Sequence, residues 1–374
     1  MNARLVAEHE KWMRTVLECA EKGRWSVSPN PMVGACVVRG GRLIASGYHP
    51  AFGAEHAEVA VLRKAGSRAR GATLYVNLEP CSSWGKTPPC THAILEHKIK
   101  QVVVATPDPN RANHQKGIQY LKRQGLKVVV GILAAEARKL NESFFTHALK
   151  QRPFVTLKMA QSLDGKIATE TGQSRWISGP AARSFVEALR AEQDAILVGL
   201  NTFCLDNPGL RTPVHKPRQN PLKPWRVVVG LPEKISASAA ILKGEPLTFF
   251  AVSDKRMKAA VTRHRKFKNQ LTLLPVREKE GHLDLKDLLK KLAQLGAAKI
   301  LVEGGGELAW SLIRERLCDR AYWIYAPKII GGRNAKTSVE GAGVSLLKKA
   351  PQCRITDICY LDSDVLMTTE FLTP

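Results

Sequence analysis

The sequence predicts an α/β protein built from two successive domains, and three observations support this. Apolar runs typical of strands alternate with amphipathic stretches typical of helices. The alternation pauses at Lys150-Gln151-Arg152-Pro153, where charge and a proline follow a helical pattern, and it restarts at Phe154. A length of 374 residues suffices for two separate cores. We therefore predict one domain over residues 1–150 and a second over residues 151–374.

The first domain is predicted to contain five strands and four helices after an amphipathic N-terminal segment. The glycine pair Gly40-Gly41 between the first two apolar runs indicates a hairpin. The predicted strands are 35–38, 43–45, 73–77, 101–105 and 128–130. The predicted helices are 56–64, 91–97, 116–124 and 134–149.

The second domain repeats the alternation without repeating the sequence. Its proline-rich stretch 208–224 is predicted to be a long loop. The predicted strands are 154–160, 195–198, 225–229, 248–252, 300–302 and 322–325, and the predicted helices are 180–191, 285–295 and 307–316.

The charge of the chain raises the question of a polyanionic partner. Lys and Arg number 57 against 33 Asp and Glu, a formal net charge of +24. Such a field attracts RNA or small phosphorylated molecules. The basic residues are spread along the chain without interleaved aromatic residues, so we favour a general basic bias and expect no nucleic-acid partner. The densest run, 255–268, is interpreted as a solvated helix face.

Cysteine usage and hydropathy bear on location. The eight cysteines are scattered over the whole length, which is typical of a reducing compartment. No apolar run reaches the roughly 18 residues of a membrane span. The N-terminal segment is amphipathic and does not have the pattern of an export signal. We expect a cytoplasmic protein without a membrane partner.

The strongest chemical signal is a split set of metal ligands. Glu58 follows His56 by two residues, and Cys81 and Cys90 come later with eight residues between them. One imidazole and two thiolates make a three-ligand zinc site with an open fourth position, and the carboxylate can handle protons beside it. This combination is a signature of hydrolytic deaminases. The spacing alone leaves a chance match as an even alternative, because His-x-Glu is common and the cysteines are not a Cys-x-x-Cys pair.

The predicted elements put helix N-termini at this site. His56 and Glu58 fall in the first turn of one predicted helix, and Cys90 opens another. The positive ends of both helices would stabilise thiolates and hydroxide there.

Five motifs supply the wider context for the ligands. In chain order they are Pro29-Asn30-Pro31-Met32-Val33-Gly34-Ala35, Gly47-Tyr48-His49, His56-Ala57-Glu58-Val59, Leu78-Glu79-Pro80-Cys81-Ser82 and Gly85-Lys86-Thr87-Pro88-Pro89-Cys90. Together they resemble the deaminase half of the bifunctional deaminase/reductases of riboflavin biosynthesis. The resemblance implies a three-layer, cytidine-deaminase-like fold. It also implies site roles: zinc binding by His56, Cys81 and Cys90, acid/base catalysis by Glu58, and substrate binding by Asn30, His49 and Lys86.

The second domain resembles the reductase half of the same family. The matching segments are 157–168, 172–178, 189–191, 194–199, 202–208, 302–306 and 326–332. The resemblance implies a dihydrofolate-reductase-like fold, NADPH as cofactor, and homodimers or higher homo-oligomers. The substrate contacts that it implies are Lys158, Ser174, Arg190, Leu210 and Glu303. The implied cofactor contacts are Ala160, Trp176, Thr202, Asp206, Gly304, Gly305 and Gly306, with Asp206 also catalytic.

The three consecutive glycines of the second domain have a physical reason to lie in a cofactor site. Gly304-Gly305-Gly306 lies between a predicted strand and a predicted helix, where absent side chains let backbone N–H groups approach a pyrophosphate. By itself the run is weak evidence, and without the upstream motifs a tight strand-to-helix turn would be the better interpretation.

The chain departs from the family pattern at several positions. Ser83, followed by Trp84, stands where a histidine is usual, and 108–114 differs from the usual loop. In the second domain Pro213 stands where the family has an arginine, although Arg211 lies two residues earlier. Gly230-Leu231 replaces an aspartate and the residue after it.

Three hypotheses follow. The first, which we favour, is a bifunctional zinc deaminase and NADPH reductase acting on phosphoribosylaminopyrimidines. The second is a deaminase with a degenerate reductase-like domain, motivated by Pro213, Gly230 and Leu231. The third is an RNA-acting zinc deaminase, motivated by the charge of +24.

Overall fold

The computed structural model describes residues 2–84, 88–212, 224–244 and 247–372. Its contacts divide the chain into two compact units, of which the first ends at Gln151 and the second begins at Arg152. None of the described helices combines the length and apolar composition needed to cross a bilayer.

The first unit is an α/β layer structure around one mixed sheet. Its described helices are α1 (Ala3–Glu21), α2 (Ala57–Ala65), α3 (Cys90–Glu96), α4 (Lys116–Arg123), α5 (Ala134–Leu140) and α6 (Glu142–Lys150). Its strands are β1 (Gly34–Arg39), β2 (Arg42–Tyr48), β3 (Thr73–Leu78), β4 (Gln101–Thr106) and β5 (Lys127–Val130). The strand order is β2-β1-β3-β4-β5, with β2, β1 and β3 antiparallel and β3, β4 and β5 parallel.

Alternating side chains of the strands form two cores, which makes three layers. Val37 and Val104 pack with Val61 and Leu62 of α2 on one face. On the other face, side chains such as Val103 pack with α1 and α5. The period of two along each strand produces this division, because successive residues point to opposite faces. The three-layer fold predicted from the resemblance is confirmed.

Two details of the predicted helices were wrong. His56 is the N-cap of α2 with extended backbone and lies just before its first turn. The helix predicted over 134–149 is divided at Asn141, which has φ −108° and ψ 24° and ends α5. The Asn141 amide hydrogen-bonds both backbone groups of Met32, 109 residues away, and this tertiary demand overrides the helical pattern.

The second unit is built on a nine-stranded sheet. Its main strands are β6 (Phe154–Ser162), β7 (Ala195–Gly199), β8 (Trp225–Val229), β9 (Thr248–Ser253), β10 (Thr272–Val276), β13 (Lys299–Glu303), β14 (Arg320–Ala326), β15 (Cys353–Leu361) and β16 (Asp364–Phe371), with a separate ribbon of β11 (Glu278–Lys279) and β12 (His282–Leu283). Its described helices are α7 (Pro180–Ala191), α8 (Leu200–Asp206), α9 (Met257–Arg263), α10 (Leu285–Gln294) and α11 (Gly306–Arg314).

The strand order is β10-β9-β8-β7-β13-β6-β14-β16-β15, parallel from β10 to β14 and antiparallel for the last two pairs. The continuous apolar run Ala195–Gly199 is explained by its position inside the parallel part, where both faces are covered. The predicted strands and helices of this domain are present. The sequence did not predict α8, the strands β10, β11 and β12, or the C-terminal hairpin of β15 and β16, whereas α9 lies within the run 255–268 that was interpreted as a solvated helix face. The described part of the predicted loop 208–224 has no regular structure.

Candidate active sites

The three predicted metal ligands lie together in the first unit. The ligand atoms of His56, Cys81 and Cys90 are all within 4.8 Å of one another. His56 Nδ1 is 3.2 Å from Cys90 Sγ and 3.7 Å from Cys81 Sγ. An imidazole and two thiols at these separations fit a tetrahedral zinc ion with one position left for a non-protein ligand. Within the described ranges, this cluster has no fourth His, Cys, Asp or Glu.

Element ends position these ligands. His56 caps α2, Cys90 is the first residue of α3, and Cys81 follows the end of β3. The Cys90 backbone N–H donates to Cys81 Sγ at 3.2 Å, so the α3 N-terminus stabilises this sulfur as a thiolate. For the α3 end this contact agrees with the predicted role, whereas the role predicted for the α2 end stays a prediction.

Glu79 fixes the segment that carries Cys81. Its buried carboxylate accepts hydrogen bonds from the backbone N–H groups of Asp108 (3.0 Å), Gln115 (2.9 Å) and Ile118 (3.1 Å). A Cβ at Gly117 would lie 2.0 Å from the Pro80 carbonyl oxygen, so only glycine permits this close approach of α4. Glu79 lies in the motif Leu78-Glu79-Pro80-Cys81-Ser82, but no role for its side chain was predicted from the sequence.

The protonation states suit metal binding and proton transfer. The hydrogen bond from the Cys90 thiol, with help from His56, lowers the pKa of Cys81 to about 4, so Cys81 is a thiolate at neutral pH. Burial, followed by the nearby Cys81 charge, raises the pKa of Glu58 to about 7. Glu58 is buried at the start of α2, beside Cys90. A carboxyl with a pKa near neutrality can both accept and donate a proton.

Asn30 and His49 meet beside the ligands. The Asn30 Nδ2 amide lies 3.2 Å from His49 Nε2, and His49 Nδ1 lies 3.0 Å from the Glu55 carbonyl oxygen. Because an amide donates and a carbonyl accepts, these contacts fix a neutral imidazole with its proton on Nδ1. Burial lowers the pKa of His49, which favours the same neutral form. The His49 ring stands edge-on to His56 at 5.6 Å between centroids.

Two buried asparagines hold the loop that carries Asn30. Asn141 accepts from the Met32 N–H at 2.8 Å and donates to the Met32 carbonyl at 2.9 Å. Asn77 donates to the same carbonyl and accepts from the Gly34 N–H, each at 2.9 Å. Neither residue was predicted from the sequence, because polar residues in apolar stretches carry no signal of their distant partners.

The residues of this unit that depart from the family pattern, Ser83 and the loop 108–114, form a local hydrogen-bond network. The Ser83 hydroxyl donates to Asn113 Oδ1 at 3.3 Å, and Asn113 Nδ2 donates to Asp108 Oδ2 at 3.1 Å. The altered loop therefore contacts the position where the family has a histidine. Trp84 is exposed, with its ring 6.4 Å from that of His92. The predicted substrate contact Lys86 lies outside the described residues.

Most predicted reductase residues line one cavity of about 710 Å³ in the second unit. The predicted residues in its wall are Lys158, Ala160, Ser174, Trp176, Arg190, Thr202, Asp206, Leu210, Glu303, Gly304 and Gly305. Gly306 is not in the wall. A Cβ there would lie 2.5 Å from the Thr337 carbonyl oxygen and 2.5 Å from Glu340 Cγ, so this glycine permits close packing behind the turn.

Glu303 is the centre of the charged part of this cavity. Its carboxylate lies 2.9 Å from the Lys158 ammonium and 2.9 Å from the terminal nitrogen Nη2 of Arg190. Burial would raise the pKa of Glu303, but the two cations outweigh it and hold the pKa at about 2. The parallel register places Lys158 and Glu303 on neighbouring strands at the same level.

A second group surrounds Trp176 and Asp206. The Ser174 hydroxyl donates to Asp206 Oδ1 at 3.4 Å, and Arg175 donates to the Asp206 carbonyl. Trp176 is largely exposed, and the Arg183 guanidinium lies 4.7 Å from the centre of its ring, within cation–π range.

The cavity fits a nicotinamide dinucleotide. Gly304 and Gly305 connect β13 to the N-terminus of α11. A Cβ at Gly305 would reach only the Thr202 hydroxyl, at 4.0 Å, so its backbone is open to an approaching group. A helix N-terminus and bare backbone N–H groups suit a pyrophosphate.

Several lining residues were not predicted. Arg183 and Glu187 line the cavity, and both lie at helical spacing before the predicted residue Arg190 on α7. That spacing was a signal the sequence analysis left unused. Arg211 also lines the cavity, whereas Pro213 lies outside the described residues. Gly230 has a φ of +112°, and a Cβ there would lie 3.2 Å from Leu200, so an aspartate would be strained at this position.

Two family models match the chain. The cytidine and deoxycytidylate deaminase zinc-binding region matches residues 6–106, and the RibD C-terminal domain matches residues 153–367. The chain is 38% identical over 367 residues to the riboflavin biosynthesis protein RibD of Aquifex aeolicus, an alignment covering 97% of this chain and 99% of the relative. It is 34% identical over 369 residues to the Escherichia coli protein of the same name, with 96% and 98% covered.

Solved structures agree over the full length. Acinetobacter baumannii RibD, form 1, matches with a TM-score of 0.86 at 32% identity, covering 98% of this chain and all of that one. A diaminohydroxyphosphoribosylaminopyrimidine deaminase/5-amino-6-(5-phosphoribosylamino)uracil reductase from Thermotoga maritima matches with a TM-score of 0.84 at 32% identity, covering 98% and 99%. The chain thus belongs to the RibD family and is a bifunctional riboflavin-biosynthesis enzyme that joins a zinc deaminase to an NADPH-dependent reductase.

Proposed function

We propose that the chain catalyses two successive reactions on a phosphoribosylaminopyrimidine. The first is hydrolytic deamination of 2,5-diamino-6-(5-phosphoribosylamino)pyrimidin-4(3H)-one, assigned to residues 1–150. The second is NADPH-dependent reduction of 5-amino-6-(5-phosphoribosylamino)uracil to the ribitylamino product, assigned to residues 151–374. The Thermotoga maritima relative is named for both activities. The observation that carries the proposal is the presence of the His56, Cys81 and Cys90 cluster and the Glu303 cavity in one chain.

The deaminase residues divide into ligands, a proton carrier and substrate contacts. When bound by the three ligands, zinc supplies a Lewis acid that makes water nucleophilic at neutral pH. Glu58 accepts a proton from the attacking water and donates it to the departing amino nitrogen, so that one water is consumed and one ammonia released. Its burial beside Cys90 and its near-neutral pKa support this role. Asn30 and the neutral His49 contact the pyrimidine, and Lys86 contacts the ribose phosphate.

The reductase residues divide in the same way. NADPH supplies the hydride, and the reduction consumes one proton in addition. Asp206, which accepts a hydrogen bond from Ser174, is the acidic side chain proposed to hold that proton. Lys158, Arg190 and Glu303 form a rigid charged group that orients the ribosyl side chain. The further substrate contacts proposed are Ser174 and Leu210.

The dinucleotide is assigned to the glycine turn and its surroundings. Gly305 offers open backbone, Gly304 packs closely beside Leu308, and Gly306 begins α11. Trp176, Thr202 and Ala160 complete the proposed cofactor contacts, and all three line the cavity.

Two readouts test the activities separately. Purified protein is given the phosphoribosyl diaminopyrimidine with and without NADPH, and ammonia release and NADPH oxidation are followed. We expect ammonia in both cases, and NADPH oxidation only after deaminated product has formed. A protein that releases ammonia but neither binds NADPH by calorimetry nor oxidises it would favour the second hypothesis, in which Pro213, Gly230 and Leu231 mark a degenerate reductase domain.

The dependence of deaminase activity on salt concentration distinguishes a small phosphorylated substrate from RNA. A phosphoribosyl ligand held by one or two cations releases few counterions, so deaminase activity should persist at about 200 mM salt. An RNA substrate contacted at about 6–10 phosphates would lose roughly 10³–10⁵ in affinity between about 50 and 200 mM salt. Deamination of total RNA with steep salt dependence would contradict the proposal.

The remaining parts of the proposal concern location and assembly. The thiolate ligands Cys81 and Cys90 suit a reducing cytoplasm, because oxidation would remove the zinc site. We propose that the chain forms homodimers or higher homo-oligomers through its second domain.

A further inference from the structure

The loop over residues 174–179 supplies two proposed site residues, Ser174 and Trp176, but it belongs to no helix or strand. Among the described residues, no backbone-to-backbone hydrogen bond involves positions 174–178. Side chains of other elements must therefore fix the shape of this loop, because its own peptide groups form no ladder. We refer to residues 174–179 as the Trp176 loop.

Lys328 makes two of the hydrogen bonds that hold the Trp176 loop. Its ammonium Nζ donates to the Trp176 carbonyl oxygen at 2.7 Å and to the Ile177 carbonyl oxygen at 2.8 Å. Both distances are at the short end of the usual range, as expected for a charged donor. One cation thus binds two successive peptide carbonyls, and this fixes the direction of the chain at Trp176.

The segment that carries Lys328 is itself held in place. Lys328 follows the end of β14 by two residues, and its carbonyl accepts a hydrogen bond from the Leu163 N–H at 2.9 Å. The Asp164 carboxylate accepts from the N–H groups of Ile330 at 3.1 Å and Gly331 at 2.7 Å. The lysine backbone is therefore fixed by groups outside the Trp176 loop, so the ammonium can determine where the loop lies.

The end of the loop next to α7 is held by two other side chains. The buried Asp364 carboxylate, at the start of β16, accepts from the Gly179 N–H at 2.7 Å. Arg183 of α7 donates to the Ser178 carbonyl at 2.9 Å. Neither contact reaches the peptide groups of Trp176, which within the described ranges are held by Lys328.

The Trp176 ring has little packing of its own to fix its position. Trp176 is 65% exposed, although it lines the cavity, and it belongs to none of the apolar clusters formed by the described residues. The position of the ring therefore follows the position of its backbone. Lys328 is not among the described residues in the cavity wall, so it acts on the ring from behind the loop.

We propose that Lys328 is a positioning residue of the reductase, which holds Trp176 where bound NADPH meets it. The inference rests on the proposed contact between Trp176 and the cofactor, and it adds the group that sets this contact. Without the ammonium, the Trp176 loop would populate other conformations. NADPH would then bind well only to the fraction of molecules with Trp176 in place, which raises the apparent Kd.

The first experiment removes the ammonium and keeps the aliphatic chain. Full-length, zinc-loaded Lys328→Met is compared with wild type by calorimetric titration with NADPH. Lys290→Met is the matched control, since Lys290 is an exposed lysine of α10. We expect an unchanged Kd in Lys290→Met and a Kd about 10-fold higher in Lys328→Met, the scale for losing hydrogen bonds from a charged group. Thermal unfolding and ammonia release, measured on the same samples, show that each variant is folded.

The second experiment tests whether Lys328 acts through Trp176. Trp176→Ala removes the ring and should raise the Kd for NADPH by itself. Adding Lys328→Met to Trp176→Ala should raise the Kd by less than about 2-fold further, because no ring is left to position. Lys328→Arg keeps a cationic donor of similar reach and should bind NADPH within about 3-fold of wild type.

Four results would overturn the proposal while leaving the reductase assignment in place. They are an unchanged Kd in Lys328→Met, an equal rise in Lys290→Met, a Lys328→Arg variant as weak as Lys328→Met, and a further loss of about 10-fold when Lys328→Met is added to Trp176→Ala. A wild type that binds no NADPH would instead overturn the proposed reductase function, and this inference with it. Lys328→Gln serves if Lys328→Met is poorly folded, and it should raise the Kd as well.

Discussion

The two candidate sites differ in how their residues are brought together. The zinc ligands lie at the ends of elements, and His56 and Cys90 are separated by 34 positions. The charged group of the reductase cavity joins Arg190 on a helix to Glu303 on a strand 113 positions away. The first site is therefore specified by ligand chemistry in short motifs, and the second by the packing of distant elements. We expect changes at the first to alter chemistry with little loss of stability, and changes at the second to alter both.

The largest expected effect is on deamination. Glu58→Gln removes the proposed proton carrier and keeps the shape of the side chain, so it should lower the deamination rate by roughly 10²–10⁴-fold while zinc content stays at one per chain. Ammonia release and metal analysis measure this. NADPH oxidation with deaminated substrate should be unchanged.

Glu55→Gln is the matched control for this prediction. Glu55 pairs with the exposed Arg63, and such pairs contribute little. Its deamination rate should equal that of wild type. Full activity in Glu58→Gln would show that another group moves the proton.

The next effect concerns the charged group of the cavity. Glu303→Gln leaves Lys158 and Arg190 largely buried without their counterion, which should lower the free energy of unfolding of the second unit by roughly 3–5 kcal/mol. Thermal unfolding monitored by calorimetry measures this, and NADPH oxidation should be lost. Deamination should persist, because the first unit is a separate compact body.

Glu307→Gln, at an exposed position of α11, is the matched control and should leave stability and both activities unchanged. If Glu303→Gln were as stable as wild type, the charged group would not stabilise the second unit, and the expected difference between the two sites would be contradicted.

A smaller effect tests the support of the substrate loop in the first unit. Asn141→Ala removes two hydrogen bonds to Met32 and leaves the half-buried Met32 N–H without its partner, which should cost roughly 1–3 kcal/mol. The KM for the pyrimidine should rise more than kcat falls, because the loop carries Asn30. Urea unfolding and steady-state kinetics measure the two quantities. Asn269→Ala, at an exposed position, is the control and should change neither the free energy of unfolding nor the KM. An unchanged KM in Asn141→Ala would show that this loop does not contribute to substrate binding.

The smallest effect is on pH dependence. Burial lowers the pKa of His9, which contacts the Tyr75 hydroxyl at 2.9 Å. The unfolded chain therefore binds a proton more readily than the folded one, so the free energy of unfolding of the first unit should fall as pH drops below about 6.5. Urea unfolding between pH 8 and pH 5 tests this. His9→Gln should show a smaller slope over that interval, and an equal slope would assign the acid sensitivity to other groups.

The sequence by itself determined the local chemistry and most elements of both units. His56, Cys81 and Cys90 could be predicted as metal ligands and Glu58 as a proton carrier, because metal ligation and proton transfer demand particular residue types at restricted spacings. The strand β8 was found from its short apolar run and the helix α7 from the helical spacing of its apolar residues, because both kinds of pattern are present in the local sequence.

The tertiary structure alone decided which distant groups meet. The insertion of β13 between β7 and β6 places Glu303 beside Lys158, and no local pattern encodes that strand order. Asn141 ends a helix because its partner, Met32, lies in another part of the fold. The hairpin of β15 and β16 was missed because the register shift between Ile355 and Asp357 breaks the period of two, and because β15 is uncovered on its outer face. Local patterns record how each residue is buried, whereas strand order and long-range pairing depend on contacts between segments that the chain brings together only on folding.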